Sequence, residues 1–224
     1  LHICMAQKKL ENLWQKGRKQ MLNDVTVFNI REYLSAKGDK DLGEDELRQL
    51  LSEFFCDKNP DVERFLKEQS IEFTKKNQSV TYLVFSNEDA SLVGYFTITI
   101  KPITVNAENF SNTMKRKIAR VSELDEENGT YTLSAYLIAQ LGKNFKDGAN
   151  EKITGEQLLH AAVDTIKELQ YMAGGMVIFL EAEDNDKLMH FYEDKNGFKQ
   201  FDVREMKCRD KDEIHKLVQL LKVM

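Results

Sequence analysis

Two stretches of this 224-residue sequence carry residue types and spacings that could do chemistry. The first runs from Leu141-Gly142-Lys143 to Thr154-Gly155, where an apolar run ends, a polar loop follows and a periodic helix begins. The helix opens on Thr154-x-x-Gln157, a capping-box pattern. The first turn of a helix has amides without intrahelical acceptors and a partial positive charge, so such a junction suits an anion. Gly155 puts no side chain in the way of a close approach. A plain structural turn explains the junction as well. The second stretch is Asn185-Asp-Lys-Leu-Met-His-Phe-Tyr192, followed by Gly197-Phe198. Asn185 has N-cap character, and Leu188, Phe191 and Tyr192 fall on one helical face. Tyr192 is then either a packing residue of an amphipathic helix closed by Gly197, or a functional phenol. Glu181 and Glu183 end the apolar run just upstream, in positions where solvated and capping carboxylates are also common.

The elements that must position these residues follow from hydrophobic period. Residues 8–22 are polar and basic, with Leu10, Leu13, Trp14 and Met21 at loose helical spacing, and predict an appended helix over 1–24. Val25 to Ile30 predicts a first strand. Asp39 to Phe55 predicts a helix carrying Leu47, Leu50, Leu51 and Phe54, and a second begins near Asp61. Val80 to Phe85 and Leu92 to Val105, across the turn Asn87-Glu88-Asp89, predict an antiparallel hairpin. A polar segment, Asn106 to Thr130, leads to an apolar run from Leu133 to Leu141. Leu158, Leu159, Ala162, Val163, Ile166 and Leu169 share one face of a long helix that stops at Gly174-Gly175. Met176 to Leu180 is the continuous apolar run of a strand covered on both faces. A short helix from Asn185 to Lys195 and strand candidates at Phe198 to Val203 and Leu217 to Val223 complete the chain, the last run being open to a helical reading too. The order predicts an α/β fold with a mixed sheet.

Taken together, the two stretches resemble the GNAT acetyltransferase superfamily, in element order over residues 25–224 and most specifically over 133–201. The family has an Asn, a Tyr seven residues on, then Gly-Phe opening the next strand. Asn185, Tyr192 and Gly197-Phe198 match. Leu141-Gly142-Lys143 stands where the family's splayed strand binds the pantetheine arm. Asn150-Glu-Lys-Ile153-Thr154-Gly155 stands for its pyrophosphate loop, Gln/Arg-x-x-Gly-x-Gly/Ala. Only the last glycine is kept. The loop is about two residues longer than usual, and one extra residue separates Tyr192 from Gly197.

The resemblance implies a GNAT-type, mostly antiparallel central sheet flanked by helices, with residues 25–224 as one acyltransferase domain. It implies acetyl-CoA (CoA) bound by Leu141, Gly142, Lys143, Asn150, Ile153, Thr154, Gly155, Asn185 and Tyr192. It further implies direct acetyl transfer to a primary amine, small or peptidic. Tyr192 would serve as general acid to the departing thiolate, since an ordinary phenol near pKa 10 stays protonated at neutral pH. Glu181 and Glu183 are the candidates for taking the amine's proton. Phe55-Cys56 and Val62-Glu63-x-Phe65-Leu66 also resemble the acetyltransferase toxins of bacterial toxin–antitoxin pairs, for which aminoacyl-tRNA is the alternative acceptor. The degenerate loop keeps a third reading open, a catalytically silent scaffold on the same fold.

Bulk properties narrow the partners. Net charge is −5 and the pI about 5.5, which argues against a broad nucleic-acid surface. Cys4, Cys56 and Cys208 make an odd, scattered set with neither zinc spacing nor a disulfide framework. No run approaches the roughly eighteen apolar residues of a membrane span. The expectation is a cytoplasmic protein without a metal site. His160 and His190 read as surface or packing residues, Cys56 lacks an evident His partner, and Trp14 is a candidate for a homodimer contact.

Overall fold

Near-strict alternation from Tyr95 to Ile100 and the β-branched run before it form the expected hairpin. The computed structural model describes residues 19–22, 24–34, 43–207 and 214–224. In it, β3 (Val80–Ser86) pairs antiparallel with β4 (Leu92–Asn106). Upstream lie β1 (Lys19–Leu22) and β2 (Val25–Asn29), also antiparallel. The predicted appended helix is thus corrected at its end. Residues 19–22 are a strand, because their backbone pairs with Val25–Phe28. Residues 1–18, with Trp14 and Cys4, lie outside the described residues.

By backbone contacts the chain, read as one domain over 25–224, divides into two compact units. One takes in the described residues up to Ile98 and Gln140–Thr165; the other is Thr99–Ala139 and Ile166–Met224. The first unit carries α1 (Ile30–Leu34) and α2 (Glu44–Ser52). Its third helix, α3, spans 60–75 as Pro60–Arg64, a π-turn Phe65–Gln69, and Ser70–Lys75. Leu47 and Leu51 of α2 and Leu66 of α3 are buried with Phe28, Tyr33, Phe54, Phe85 and Tyr95 in one apolar core.

In the second unit, β4 is followed by α4 (Asn112–Ile118) and β5 (Leu124–Asp125), so the polar segment 106–130 is more structured than its composition suggests. Ser111 caps α4, its hydroxyl accepting from the Met114 amide. Then come β6 (Thr130–Lys143), which belongs to this unit up to Ala139, α5 (Gly155–Ala173), which belongs to it from Ile166, and β7 (Val177–Glu183). α6 (186–195) is a short helix, Asp186–Met189, that widens into a π-turn, His190–Lys195. The chain ends in β8 (Lys199–Lys207) and β9 (Ile214–Val223), so the last apolar run is a strand. Strand order here is β4-β6-β7-β9-β8. β6–β7 is parallel, while β7–β9 and β8–β9 are antiparallel. Val105, Phe110, Tyr131, Leu133, Val177, Phe179 and Leu221 form this unit's core. The sheet is therefore mixed and mostly antiparallel, as expected. Among the described residues no helix is long and apolar enough to cross a membrane.

One close approach decides a residue. A Cβ on Gly142 would stand 2.4 Å from Cγ1 of Val62 in α3. The Val62 carbonyl is itself held by the buried Tyr95 hydroxyl, which donates to it at 2.6 Å. Gly142→Ala is therefore expected to cost about 1–3 kcal/mol by overpacking. In a Val62→Ala background, where the opposing methyl is gone, the same change should cost clearly less in urea unfolding.

Candidate functional site

The first unit contributes the end of β6 and the loop into α5. β6 pairs with β7 over Ala135–Ile138 and Val177–Leu180, and runs on from Ala139 to Lys143 past its last pair with that strand. Directly after it sits Asn144, 4% exposed. Its Oδ1 accepts from the Phe55 amide at 2.9 Å and from the Lys146 amide at 3.1 Å. Its Nδ2 donates to the Leu92 carbonyl at 2.8 Å and the Glu53 carbonyl at 3.4 Å. The Asn144 amide donates to Val93 at 2.9 Å, and the Phe145 amide to Phe55 at 2.7 Å. One buried side chain thus ties the loop to β4 and to the turn after α2.

The loop then makes a tight turn, Lys146–Glu151, in which Asp147 (φ 49°) and Gly148 (φ 77°) are left-handed. Asp tolerates that conformation better than most residues. At the end of the loop Ile153 is 1% exposed. Its side chain is turned into the interior rather than out of the loop. Thr154 and Gln157 form the predicted reciprocal cap. The Gln157 amide donates to the Thr154 hydroxyl at 3.1 Å, and the Thr154 amide to the Gln157 side chain at 2.8 Å. That leaves the Gly155 and Glu156 amides, which as the first two of the helix have no intrahelical acceptor.

Charge around the loop is mostly neutralised. Lys146 is bonded to Glu53 and Lys152 to Asp89. Lys143 differs. It is half-buried, and burial together with nearby Lys58 pushes its ammonium below the usual lysine range. Lys58 in turn lies 4.7 Å over the Phe145 ring.

The second unit contributes β7 and α6. Asn185 caps α6, its side chain accepting from the Lys187 amide at 2.9 Å, as predicted. Tyr192 is half-buried in the π-turn, its ring edge-on to Phe191 at 5.0 Å and to Phe198 at 5.9 Å. Burial pushes its phenol up to about 12. Among the described residues none hydrogen-bonds its hydroxyl. Glu181, opposite Gln219 in the β7–β9 ladder, accepts from the Gln219 side chain at 2.6 Å and pairs with Arg204 at 3.5 Å. Glu183 is exposed at the end of β7. His160 is exposed, and His190 is exposed and bonded to Asp194 at 2.7 Å.

The predicted residues therefore fall into two sets. Leu141, Gly142, Lys143, Asn150, Ile153, Thr154 and Gly155 belong to the first unit, and Glu181, Glu183, Asn185 and Tyr192 to the second. Two residues escaped the sequence reading. Asn144 looks like any turn residue, and nothing local marks its partners near positions 53–55 and 92–93. Asn196, 6% exposed, donates from its side chain to the Phe191 carbonyl at 2.8 Å. Nothing in the local sequence marks that contact either.

Comparison with known proteins identifies the fold. No protein-family model matches the sequence, and no curated protein matches it. Solved structures do. The chain is similar to KacT, as a tyrosine-to-phenylalanine variant, with a TM-score of 0.56 at 16% identity over 90% of this chain and 95% of that one. It is similar to AtaT complexed with acetyl-methionyl-tRNAfMet, with a TM-score of 0.55 at 15% identity over 87% and 94%. This is the GNAT fold. A further GNAT-fold neighbour is a tyrosine-to-phenylalanine variant of the AtaT toxin, bound to the C-terminus of the antitoxin AtaR and acetyl-CoA. It gives a TM-score of 0.51 at 14% identity over 90% and 94%.

Asn144→Ala should lower stability by about 2–4 kcal/mol, because four backbone groups lose their partner in a buried place. Asn144→Asp should fare little better, since it cannot donate to the Leu92 and Glu53 carbonyls. Denaturant midpoints for both variants check this.

Proposed function

We propose that the chain is an acetyl-CoA-dependent N-acetyltransferase that transfers the acetyl group directly to a primary amine. The observation that carries this reading is Tyr192: a phenol set among aromatic rings, on a helix capped by Asn185, within the GNAT fold. The residues of the loop fit a CoA pyrophosphate. The Gly155 and Glu156 amides remain for it after the capping box is satisfied, Ile153 is turned inward, and Lys143 is a half-buried cation whose charge an anion would stabilise.

Acetyl-CoA supplies an activated acyl thioester. The amine nitrogen bonds to the acyl carbon, the carbon–sulfur bond breaks, and Tyr192 gives its proton to the departing sulfur. A phenol near 12 is a weaker acid than a thiol near 8.5, so the proton moves as that bond breaks and not before. A backbone N–H at the strand end by Leu141 donates to the oxyanion that forms on the acyl oxygen. The amine's proton goes to a carboxylate. Glu183 takes this role in the present reading, because Glu181 is already engaged by Gln219 and Arg204. The reading places the chain in the cytoplasm.

A second acceptor is favoured by one observation, the likeness to AtaT solved with acetyl-methionyl-tRNAfMet. There the amine would be the α-amino group of an aminoacyl-tRNA. Association that weakens steeply with salt, despite the net charge of −5, would support that acceptor over a small amine.

Acetyl-CoA at a hundred times its dissociation constant should stabilise the protein by about 2.7 kcal/mol, raising the thermal midpoint by roughly 5–11 °C. In thiol-release assays with an accepted amine, Tyr192→Phe should lower kcat about 100-fold or more and leave KM for acetyl-CoA nearly unchanged. Tyr192 is in its donor form at every pH below its raised value of about 12. The wild-type rate profile should therefore show no alkaline loss from this phenol through pH 10. Absence of any midpoint shift with CoA thioesters would instead favour the scaffold reading.

A further inference from the structure

α6 ends in an unusual way, and the chain invests buried polar groups in that end. A π-turn is rare and occurs mostly as a single turn at functional sites. Here, over His190–Lys195, it contains Tyr192 itself, so the register of the turn sets the direction in which the phenol points. Relaxing the turn to ordinary α-helix would rotate the following residues by about 100°. Two side-chain contacts brace it. The buried Asn196 side chain donates to the Phe191 carbonyl at 2.8 Å. The Lys222 ammonium, on β9 opposite Ile178 of β7, donates to the Asn196 carbonyl at 2.9 Å and lies 5.8 Å from the Phe198 ring centre. The helix then closes in an ordinary glycine cap, the Phe198 amide donating to the Tyr192 carbonyl at 3.0 Å and the Gly197 amide to the Glu193 carbonyl at 3.0 Å. Gly197 permits this path at φ 68°. A charge-assisted bond from the sheet thus ends on the residue that caps the turn.

We propose that Asn196, clamped from the sheet by Lys222, is a positioning residue that fixes the register of the Tyr192 turn and hence the aim of its phenol. The role rests on the reading of Tyr192 as general acid, but the clamp itself can be read without activity.

The test uses Asn196→Ala, Lys222→Met and the conservative Lys222→Arg in the full chain, each with and without Tyr192→Phe. Amide hydrogen exchange comes first. Asn196→Ala and Lys222→Met should speed exchange at Gly197 and Phe198 about tenfold or more, leaving the β7–β9 ladder unchanged. Unchanged exchange at those two amides overturns the clamp. In acetyl transfer, kcat should fall about 10- to 100-fold with KM for acetyl-CoA kept within about twofold, and Lys222→Arg should recover most of it. With Tyr192→Phe present, Asn196→Ala should cost less than about twofold, the non-additivity expected of groups acting as one unit. An equal loss in both backgrounds, or a raised KM with kcat kept, contradicts the positioning role. Full activity of Tyr192→Phe alone would sink the general-acid reading instead, and the exchange data would still decide the clamp.

Discussion

The candidate site depends on a rule of burial: an amide side chain removed from water must find partners for its donors and its acceptor. Asn144 meets that demand with backbone groups from three segments, the turn at 53–55, the start of β4 and its own loop. Because those partners are backbone, the geometry they impose does not vary with the side chains around them. The last residues of β6 and the turn beginning at Lys146 are therefore held at one angle. The path of the chain to Ile153, Thr154 and the first free amides of α5 follows from that angle.

The same economy recurs at α6 in different chemistry. Its N-terminus is held by Asn185 and its C-terminus by Asn196, so two amide side chains bracket Tyr192. Aromatic neighbours on either side of the phenol supply low polarity, which disfavours phenolate and keeps the proton on oxygen. Carboxylates nearby are used unequally. Glu181 is bound into the β7–β9 surface, and Glu183 is left to solvent. The phenol and the two carboxylates are thereby kept in different surroundings.

Elements with local causes were legible in the residues. α5 declares itself by a capping box and one apolar face, and β7 by an unbroken apolar run. The β3–β4 hairpin shows through its alternation. Asn185, Tyr192 and Gly197 were legible because their roles as caps and as an inner-face aromatic follow from spacing alone. What could not be read depends on contacts distant in sequence. The strand Lys19–Leu22 forms only because β2 offers it an edge. Ile153 reads as one apolar residue in a polar loop until its burial shows the side chain packed inward. The π-turn at Tyr192 could not be read, since no residue type encodes that register.

The central claim is that the end of β6 and the start of α5 bind acetyl-CoA. Backbone amide shifts on titration with acetyl-CoA test it most directly, with CoA and acetate as controls. The account predicts saturable shifts with acetyl-CoA and CoA but not acetate, largest at Leu141–Lys143 and at Gly155 and Glu156. Saturable shifts centred elsewhere, or none up to millimolar ligand, would contradict it.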